Sequence, residues 1–135
     1  MDRRRLDELI AQIESYLDCW KQFNNFLSQA RTKKFGADDE AQFLELKALL
    51  AQQLEIILAA VESSALNRDE VVQLVGGVPS LRFLSEQNEG VHRNFENQWH
   101  KIYIAWQSIL GQLKVQQNVV EPKRSFWSGL FGGKS

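Results

Sequence analysis

The chain is poor in the residues that carry most enzyme chemistry and in those that cross-link small folds. Its 135 residues include one cysteine, two histidines and two prolines. A single cysteine excludes an intramolecular disulfide, which fits a reducing compartment. No apolar run approaches the roughly 18 residues of a membrane span, and no continuous apolar segment follows the basic residues Arg3, Arg4 and Arg5, as a secretory leader requires. We therefore expect a cytoplasmic protein, with peripheral contact to a membrane as the alternative.

An excess of charge of one sign is also missing. The formal net charge is −1, with 24% charged and 44% hydrophobic residues, which is typical of one ordinary globular domain. The basic residues form three small clusters, at 3–5, 33–34 and 123–124, and acids closely follow the first two. This balance gives no general attraction to nucleic acid, so we expect no nucleic-acid partner.

Helical periodicity fills most of the chain. Apolar residues recur at steps of three and four in three long segments, and this spacing places them on one stripe of an α-helix. The stripes are Leu6, Ile10, Ile13, Leu17, Trp20 and Leu27, with the polar Asn24 interrupting the first; then Phe43, Leu46, Leu50, Leu54, Ile57 and Val61; and last Val91, Phe95, Trp99, Ile102, Trp106, Ile109 and Leu113. No segment has the pattern of a β-strand.

Breaking and capping residues bound these helices. The first helix should end near Lys34, and Gly36 can take the left-handed conformation that closes it. Asp38 or Asp39 should cap the second. The core of the last helix runs from 89 to 117, and Pro122 should stop it because proline cannot donate a backbone hydrogen bond.

The stretch from Asn67 to Gln87 is the least regular. A short helix is predicted at 67–75, opened by a capping box of Asn67 and Glu70, with 76–78 as a corner. The last helix can begin as early as Pro79, with a kink near Gly90. The prediction is an all-α antiparallel bundle of three long helices, with one short helix at the corner before the last. A four-helix bundle is the alternative.

Two features indicate surplus apolar surface. Residues 54–61 are apolar on nearly all sides of a helix, and Ile104 and Leu110 lie off the main stripe of the last helix. A helix that is apolar on several sides is usually covered on several sides. The pattern indicates either a central position in the bundle or self-association, most simply a homodimer.

A polar face on the last helix invites a search for metal ligands. His92, Glu96 and His100 are spaced at i, i+4 and i+8 and share one face, but they rise about 12 Å from first to last, too far to hold one ion. Glu89 and His92 form the Glu-x-x-His step of di-iron bundles, which need it on two helices, and here it occurs once. We expect a solvated polar face, no metal and no cofactor.

The other chemical candidates are few. Cys19 follows Asp18, which disfavours a thiolate, so a half-buried apolar role is predicted for the thiol. The chain has no Gly-x-Ser-x-Gly motif, no phosphate-binding glycine loop and no Cys-x-x-Cys. An enzyme is therefore possible in principle, but no pattern in the sequence supports one, and no catalytic residue is assigned.

The last 15 residues differ from the rest. Residues 1–120 are predicted as the helical bundle domain, and residues 121–135 as a basic and apolar tail. Four large apolar side chains in such a tail need cover. The cover can be the tail's own bundle, a groove on another protein or a second copy, or, with weak affinity, an anionic membrane surface. The predicted partner-binding residues are Lys123, Arg124, Phe126, Trp127, Leu130 and Phe131.

The sequence thus predicts a non-catalytic interaction bundle, an adaptor or regulatory subunit, with the tail as its docking element and a protein or a second copy as its partner. One alternative is a small helical enzyme or ligand- or metal-binding protein that uses the face of His92, Glu96 and His100. The other is a peripheral membrane protein anchored by the tail.

Overall fold

The computed structural model describes residues 2–61 and 66–120, and this part of the chain is all-α, with no strand. Its helices are α1 (Arg3–Arg31), α2 (Ala37–Ala60), α3 (Arg68–Gly77), α4 (Leu81–Ser85) and α5 (Glu89–Val120). The long helices α2 and α5 both pack against α1, which confirms the predicted all-α bundle. Within residues 2–61 and 66–120, no helix combines the length and the hydropathy needed to cross a bilayer.

Helix α1 is the centre of the bundle and runs antiparallel to α2 and α5. The Tyr16 hydroxyl donates to the backbone oxygen of Leu50 at 2.6 Å, while Gln12, earlier in α1, donates to Gln53, later in α2. Arg31, at the end of α1, meets Glu96 near the start of α5. The short α3 packs between α2 and α5, and α4 packs mainly on α1. Two short helices therefore occupy the corner where one was predicted.

Aromatic side chains fill the middle of the core. Trp20, Phe23 and Trp106 are fully buried, and the Tyr16 and Trp106 rings meet edge-on with centroids 5.0 Å apart. The indole nitrogen of Trp99 donates to the backbone oxygen of Trp20 at 2.7 Å. Burying each such side chain stabilises the fold by about 1.5–3 kcal/mol. The buried members of the predicted stripes are Leu6, Ile10, Ile13, Leu17, Trp20, Leu27, Phe43, Leu46, Leu50, Leu54, Ile57, Ile102, Trp106, Ile109 and Leu113.

The turn between α1 and α2 differs from the prediction. Lys33, not Gly36, takes the left-handed conformation, with φ of 59°. The Lys34 amide then donates to the Gln29 carbonyl at 2.8 Å, which closes the helix end as in a Schellman motif. Gly36 is extended and is itself the N-cap of α2, and its amide donates to the Asp39 carboxylate at 2.8 Å. Asp39 thus supports the cap from inside the helix instead of being the cap.

The corner before α5 also differs in detail. Helix α3 continues through Gly77, past the predicted end at residue 75. The Asn67 side chain accepts from the Asp69 amide at 2.9 Å, so it does cap α3, but Glu70 pairs with Lys101 of α5 and does not complete a capping box. The predicted kinked helix from Pro79 is instead two helices, because the chain turns at 86–88.

Both helices around that turn are capped by side chains. The Ser80 hydroxyl accepts from the Phe83 amide, and the Glu40 carboxylate of α2 accepts from the Leu81 and Arg82 amides at 2.8 and 3.1 Å. Asn88 accepts from the Val91 amide at 2.9 Å at the start of α5. The first amides of a helix have no acceptor within the helix, and these side chains supply one. They therefore stabilise the start of α4 and the start of α5 as two separate helices.

Candidate partner-binding surface

The predicted docking residues of the tail, Lys123, Arg124, Phe126, Trp127, Leu130 and Phe131, lie outside the described residues. The structure does describe the place where the tail begins. The Gln117 side chain donates to Asp7 at 2.7 Å, and Lys114 pairs with Glu14 at 3.2 Å. The end of α5 therefore lies beside the beginning of α1, at the same end of the bundle as the end of α2.

An apolar groove lies between α2 and α3. Its volume is about 400 Å³, and its lining is almost entirely aliphatic. The lining residues are Ala51, Leu54, Glu55, Arg68, Val71, Val72, Val75 and Gly76. Leu54 and Val71 form its floor, since both are buried, while Val72 stands on its rim with 45% of its surface exposed. We call this feature the α2–α3 groove.

The groove arises from the rotation of α3. Buried Val71, Leu74 and Val75 point toward the core, so adjacent Val72 points outward. On α2 the facing residue is Ala51, whose small side chain leaves room beside the larger neighbours. Leu44, seven residues before Ala51, falls on the same side of α2 and is 53% exposed. It continues the apolar strip toward the start of that helix.

One ion pair marks the end of the groove nearest the end of α5. The guanidinium of Arg68 binds Glu55 through both carboxylate oxygens, at 3.0 and 2.8 Å from Nε. Hydrogen bonding to Arg68, with its charge, holds the pKa of Glu55 below its usual range. Asp69 lies 3.8 Å from the same guanidinium. This end of the groove therefore carries two carboxylates and one guanidinium.

Other large apolar side chains are exposed away from the groove. Leu49 and Ile56 are seven residues apart on the opposite side of α2 and are 44% and 48% exposed. Ile104 and Val115 lie on the outer face of α5, at 50% and 62% exposed. Of the two residues expected to need cover off the main stripe of α5, Ile104 is exposed, whereas Leu110 is partly buried against the core.

The three polar residues of α5 do not share an environment. His92 is buried, with 5% of its surface exposed, which corrects the expected solvated face. Glu96 receives two hydrogen bonds from Arg31, at 2.8 and 2.7 Å, and Glu89 binds the same guanidinium. His100 is exposed beside Trp99. Within residues 2–61 and 66–120, no three His, Cys, Asp or Glu side chains come together as metal ligands.

Tyr16 and Cys19 both occupy apolar surroundings in α1. Cys19 is half-buried and packs against the core, as predicted. Burial raises the pKa of its thiol, and the charge of Asp18 adds to the effect. Burial also raises the pKa of Tyr16. Among the residues that the structure describes, the buried indole nitrogens of Trp20 and Trp106 have no hydrogen-bond acceptor, and such an unpaired donor costs about 1–3 kcal/mol.

Two other clefts, each of about 240 Å³, are polar. One lies between α1 and the start of α2 and is lined mainly by side-chain amides, including Gln22, Asn25 and Gln42. The other lies between α3 and α5, beside the Glu70 and Lys101 pair. Neither brings a nucleophile together with a base. Of these three concave surfaces, the α2–α3 groove has the most apolar lining.

Comparison with known proteins gives no relative. No protein-family model, curated protein or solved structure matches the chain.

The groove residues were not identified from the sequence, although one signal was present. Four large apolar residues within five positions of α3 point to more than one side of this ten-residue helix. Because one contact with the core covers only one side, the pattern indicates a second apolar surface. The four residues are Val71, Val72, Leu74 and Val75.

Proposed function

We propose that the protein is a non-catalytic interaction module, an adaptor or regulatory subunit, that binds an apolar segment of another polypeptide in the α2–α3 groove. The observation that carries this proposal is the groove's lining, in which aliphatic side chains form the floor and rim and the charged pair stands only at one end. Grooves of this kind accept the apolar face of a short helix or extended segment.

Contacts that hold both walls of the groove to the bundle support the proposal. Helix α2 is held to α1 by the bond from Tyr16 to Leu50, and α3 is tied to α2 by Arg68 and to α5 by Glu70. A preformed groove loses little conformational entropy when it binds, which favours affinity at a modest contact area. The tail is the second apolar element of the module, since its Phe126, Trp127, Leu130 and Phe131 also need cover.

The test compares two matched substitutions on exposed valines. Val72→Glu places a carboxylate on the rim of the groove, and Val115→Glu places the same group on the outer face of α5. Because a charge that an apolar segment covers loses its contact with water, proteins that co-purify through the groove should fall at least about tenfold with Val72→Glu. They should be retained with Val115→Glu.

Quantitative mass spectrometry of material bound to the tagged full chain gives the readout, with the thermal melting point of each variant as the folding control. Equal recovery of every bound protein by both variants would contradict the assignment of the groove. Loss with Val115→Glu alone would place the contact surface on α5.

A further inference from the structure

The α2–α3 groove has its charged end close to the point where the described chain stops. Along α1, Gln12 contacts Gln53 and Tyr16 contacts Leu50. Continuing this antiparallel register places Asp7 level with the end of α2, about 5 Å beyond Glu55 along the helix axis. Gln117 contacts Asp7, and Val120 lies about 4.5 Å further along α5.

The chain after α5 is long enough to reach the groove. The axial offset from Val120 to Glu55 is about 9.5 Å by this register. Helices α2 and α5 both adjoin α1 and α3 but are not neighbours themselves, so with about 8–10 Å between neighbouring axes their own axes lie roughly 11–14 Å apart. The straight-line distance from Val120 to Glu55 is therefore about 15–17 Å. Residues 121–125 can span roughly 17 Å when extended. Phe126 and Trp127 can therefore arrive at the charged end of the groove, and Leu130 and Phe131 can lie further along it.

The chemistry of the two surfaces is complementary. The four large apolar side chains of residues 126–131 match a groove lined by leucine, valine and alanine. Lys123 and Arg124 precede them, and the near end of the groove carries Glu55 and Asp69 against the single guanidinium of Arg68. The basic residues of the tail would thus meet the side of the groove that has an excess of carboxylate.

We infer that residues 126–131 of the same chain occupy the α2–α3 groove, so that a partner segment must displace this tail in order to bind. The inference rests on the proposed function, because it names the intramolecular competitor for the proposed site. A tethered segment has an effective concentration in the millimolar range. The displacing partner is accordingly an apolar, aromatic-containing polypeptide segment that resembles the tail.

Paramagnetic relaxation tests the position of the tail. A spin label is attached at position 128 of the full chain through Ser128→Cys, in a background with Cys19→Ala, and the valine and leucine methyl groups are labelled with ¹³C. The methyl signals of Val71, Val72 and Val75 should broaden strongly, while those of Val115 should not. Equal broadening of both sets, or broadening of neither, would overturn the inference.

A mixed sample separates tails of the same chain from those of a second copy. Spin-labelled chain without ¹³C is added to ¹³C-labelled chain without a spin label. Broadening of the groove methyls should then be absent. Broadening in the mixed sample as strong as in the single-chain sample would show exchange of tails between copies and would overturn the intramolecular assignment. Attachment of the tail to anionic lipid vesicles with unbroadened groove methyls would overturn it in favour of a membrane surface.

Competition with the tail peptide gives an independent measurement. A fluorescent peptide of residues 122–135 should bind the chain truncated after Glu121 at least about tenfold more tightly than it binds the full chain, because the tethered tail competes in the latter. Val72→Glu in the truncated chain should abolish peptide binding, and Val115→Glu should preserve it. Equal affinity for the truncated and full chains would overturn the inference.

The proposed function can fail separately. If the tail does not compete but Val72→Glu still removes co-purifying proteins, the groove binds partners and only the intramolecular role is wrong. If the tail competes but no protein depends on Val72, the groove serves the tail alone and the interaction function is wrong.

Discussion

At the scale of single residues, backbone conformation and burial decide where substitutions have an effect. Lys33 is the one non-glycine residue with positive φ among residues 2–61 and 66–120. Its conformation costs about 1–2 kcal/mol for a residue with a side chain, and glycine avoids that cost. The glycine of this turn, Gly36, lies three positions after Lys33, and its backbone is extended.

Lys33→Gly should therefore raise the free energy of unfolding by about 0.5–1 kcal/mol, after the greater flexibility of glycine in the unfolded chain is allowed for. Denaturant unfolding followed by circular dichroism measures the change. Lys34→Gly is the matched control, and it should give no gain because Lys34 does not have positive φ. A gain of the same size in both variants would contradict the left-handed turn at Lys33.

We expect the buried hydroxyl of Tyr16 to make the stability of the fold depend on pH. Its pKa is raised by burial in the folded protein, whereas an unfolded tyrosine ionises near pH 10. The folded state therefore retains the proton more strongly, so this contribution to stability is complete below about pH 10 and is lost progressively as pH rises above that value.

Tyr16→Phe tests this sign. The variant should lose about 1 kcal/mol at neutral pH, because the hydrogen bond to the Leu50 carbonyl is removed. The difference from the parent chain should shrink between about pH 10 and 11, where the parent loses the stability linked to Tyr16. Urea unfolding at several pH values gives the comparison, and a difference that grows over this range would contradict it.

At the scale of helices, side chains from distant segments fix the short elements. Helix α4 has five residues, too few for stability on its own, and it begins where Glu40 of α2 accepts two of its amides. Helix α3 is anchored by its buried residues Val71, Leu74 and Val75, which pack against the core. Its ion pairs to α2 and α5 are largely exposed and add little. The corner therefore depends on tertiary contacts more than on local propensity.

Glu40→Ala should destabilise the fold by about 1–2 kcal/mol, because it leaves the amides of Leu81 and Arg82 without their acceptor. Hydrogen exchange at those two amides should accelerate more than exchange in α5. Glu45→Ala, at an exposed position on the same helix, controls for the loss of one acidic residue. Equal effects of both substitutions would argue against capping of α4 by α2.

At the scale of the whole molecule, the fold brings together regions that are far apart in the chain. The beginning of α1 and the ends of α2 and α5 share one end of the bundle, and the tail starts there. The basic cluster at residues 3–5 lies at the same end, but Arg3 and Arg4 pair with Asp7 and Glu8. This pairing reduces the positive charge that an anionic membrane would meet.

Truncation after Glu121 should expose the groove and lower the melting point by a few degrees. The oligomeric state and the sedimentation of the protein with vesicles should not change. Differential scanning calorimetry, analytical ultracentrifugation and vesicle sedimentation measure the three properties. Loss of a dimer would instead indicate tails exchanged between copies, as the homodimer hypothesis predicts. Loss of vesicle sedimentation would support the peripheral membrane alternative.

The sequence by itself determined the long helices and most of the core. Their apolar residues recur at helical spacing, and this local periodicity fixes which face of α1, α2 and α5 is buried. It also identified the irregular corner, because Gly76, Gly77 and Pro79 interrupt the pattern. The off-stripe positions of Ile104 and Leu110 could also be read from the sequence, but only the structure shows that Ile104 is exposed and Leu110 partly buried.

Only the tertiary structure decided how the helices are rotated and what their remaining surfaces meet. His92 is buried and Val72 exposed because packing sets the rotation of α5 and α3, which a period of 3.6 residues leaves open by a fraction of a turn. The cap from Glu40 and the closure of α1 at Lys33 depend on contacts that spacing does not encode. The α2–α3 groove also depends on tertiary packing. It is a gap between two helices, so the sequence of either helix alone does not reveal it.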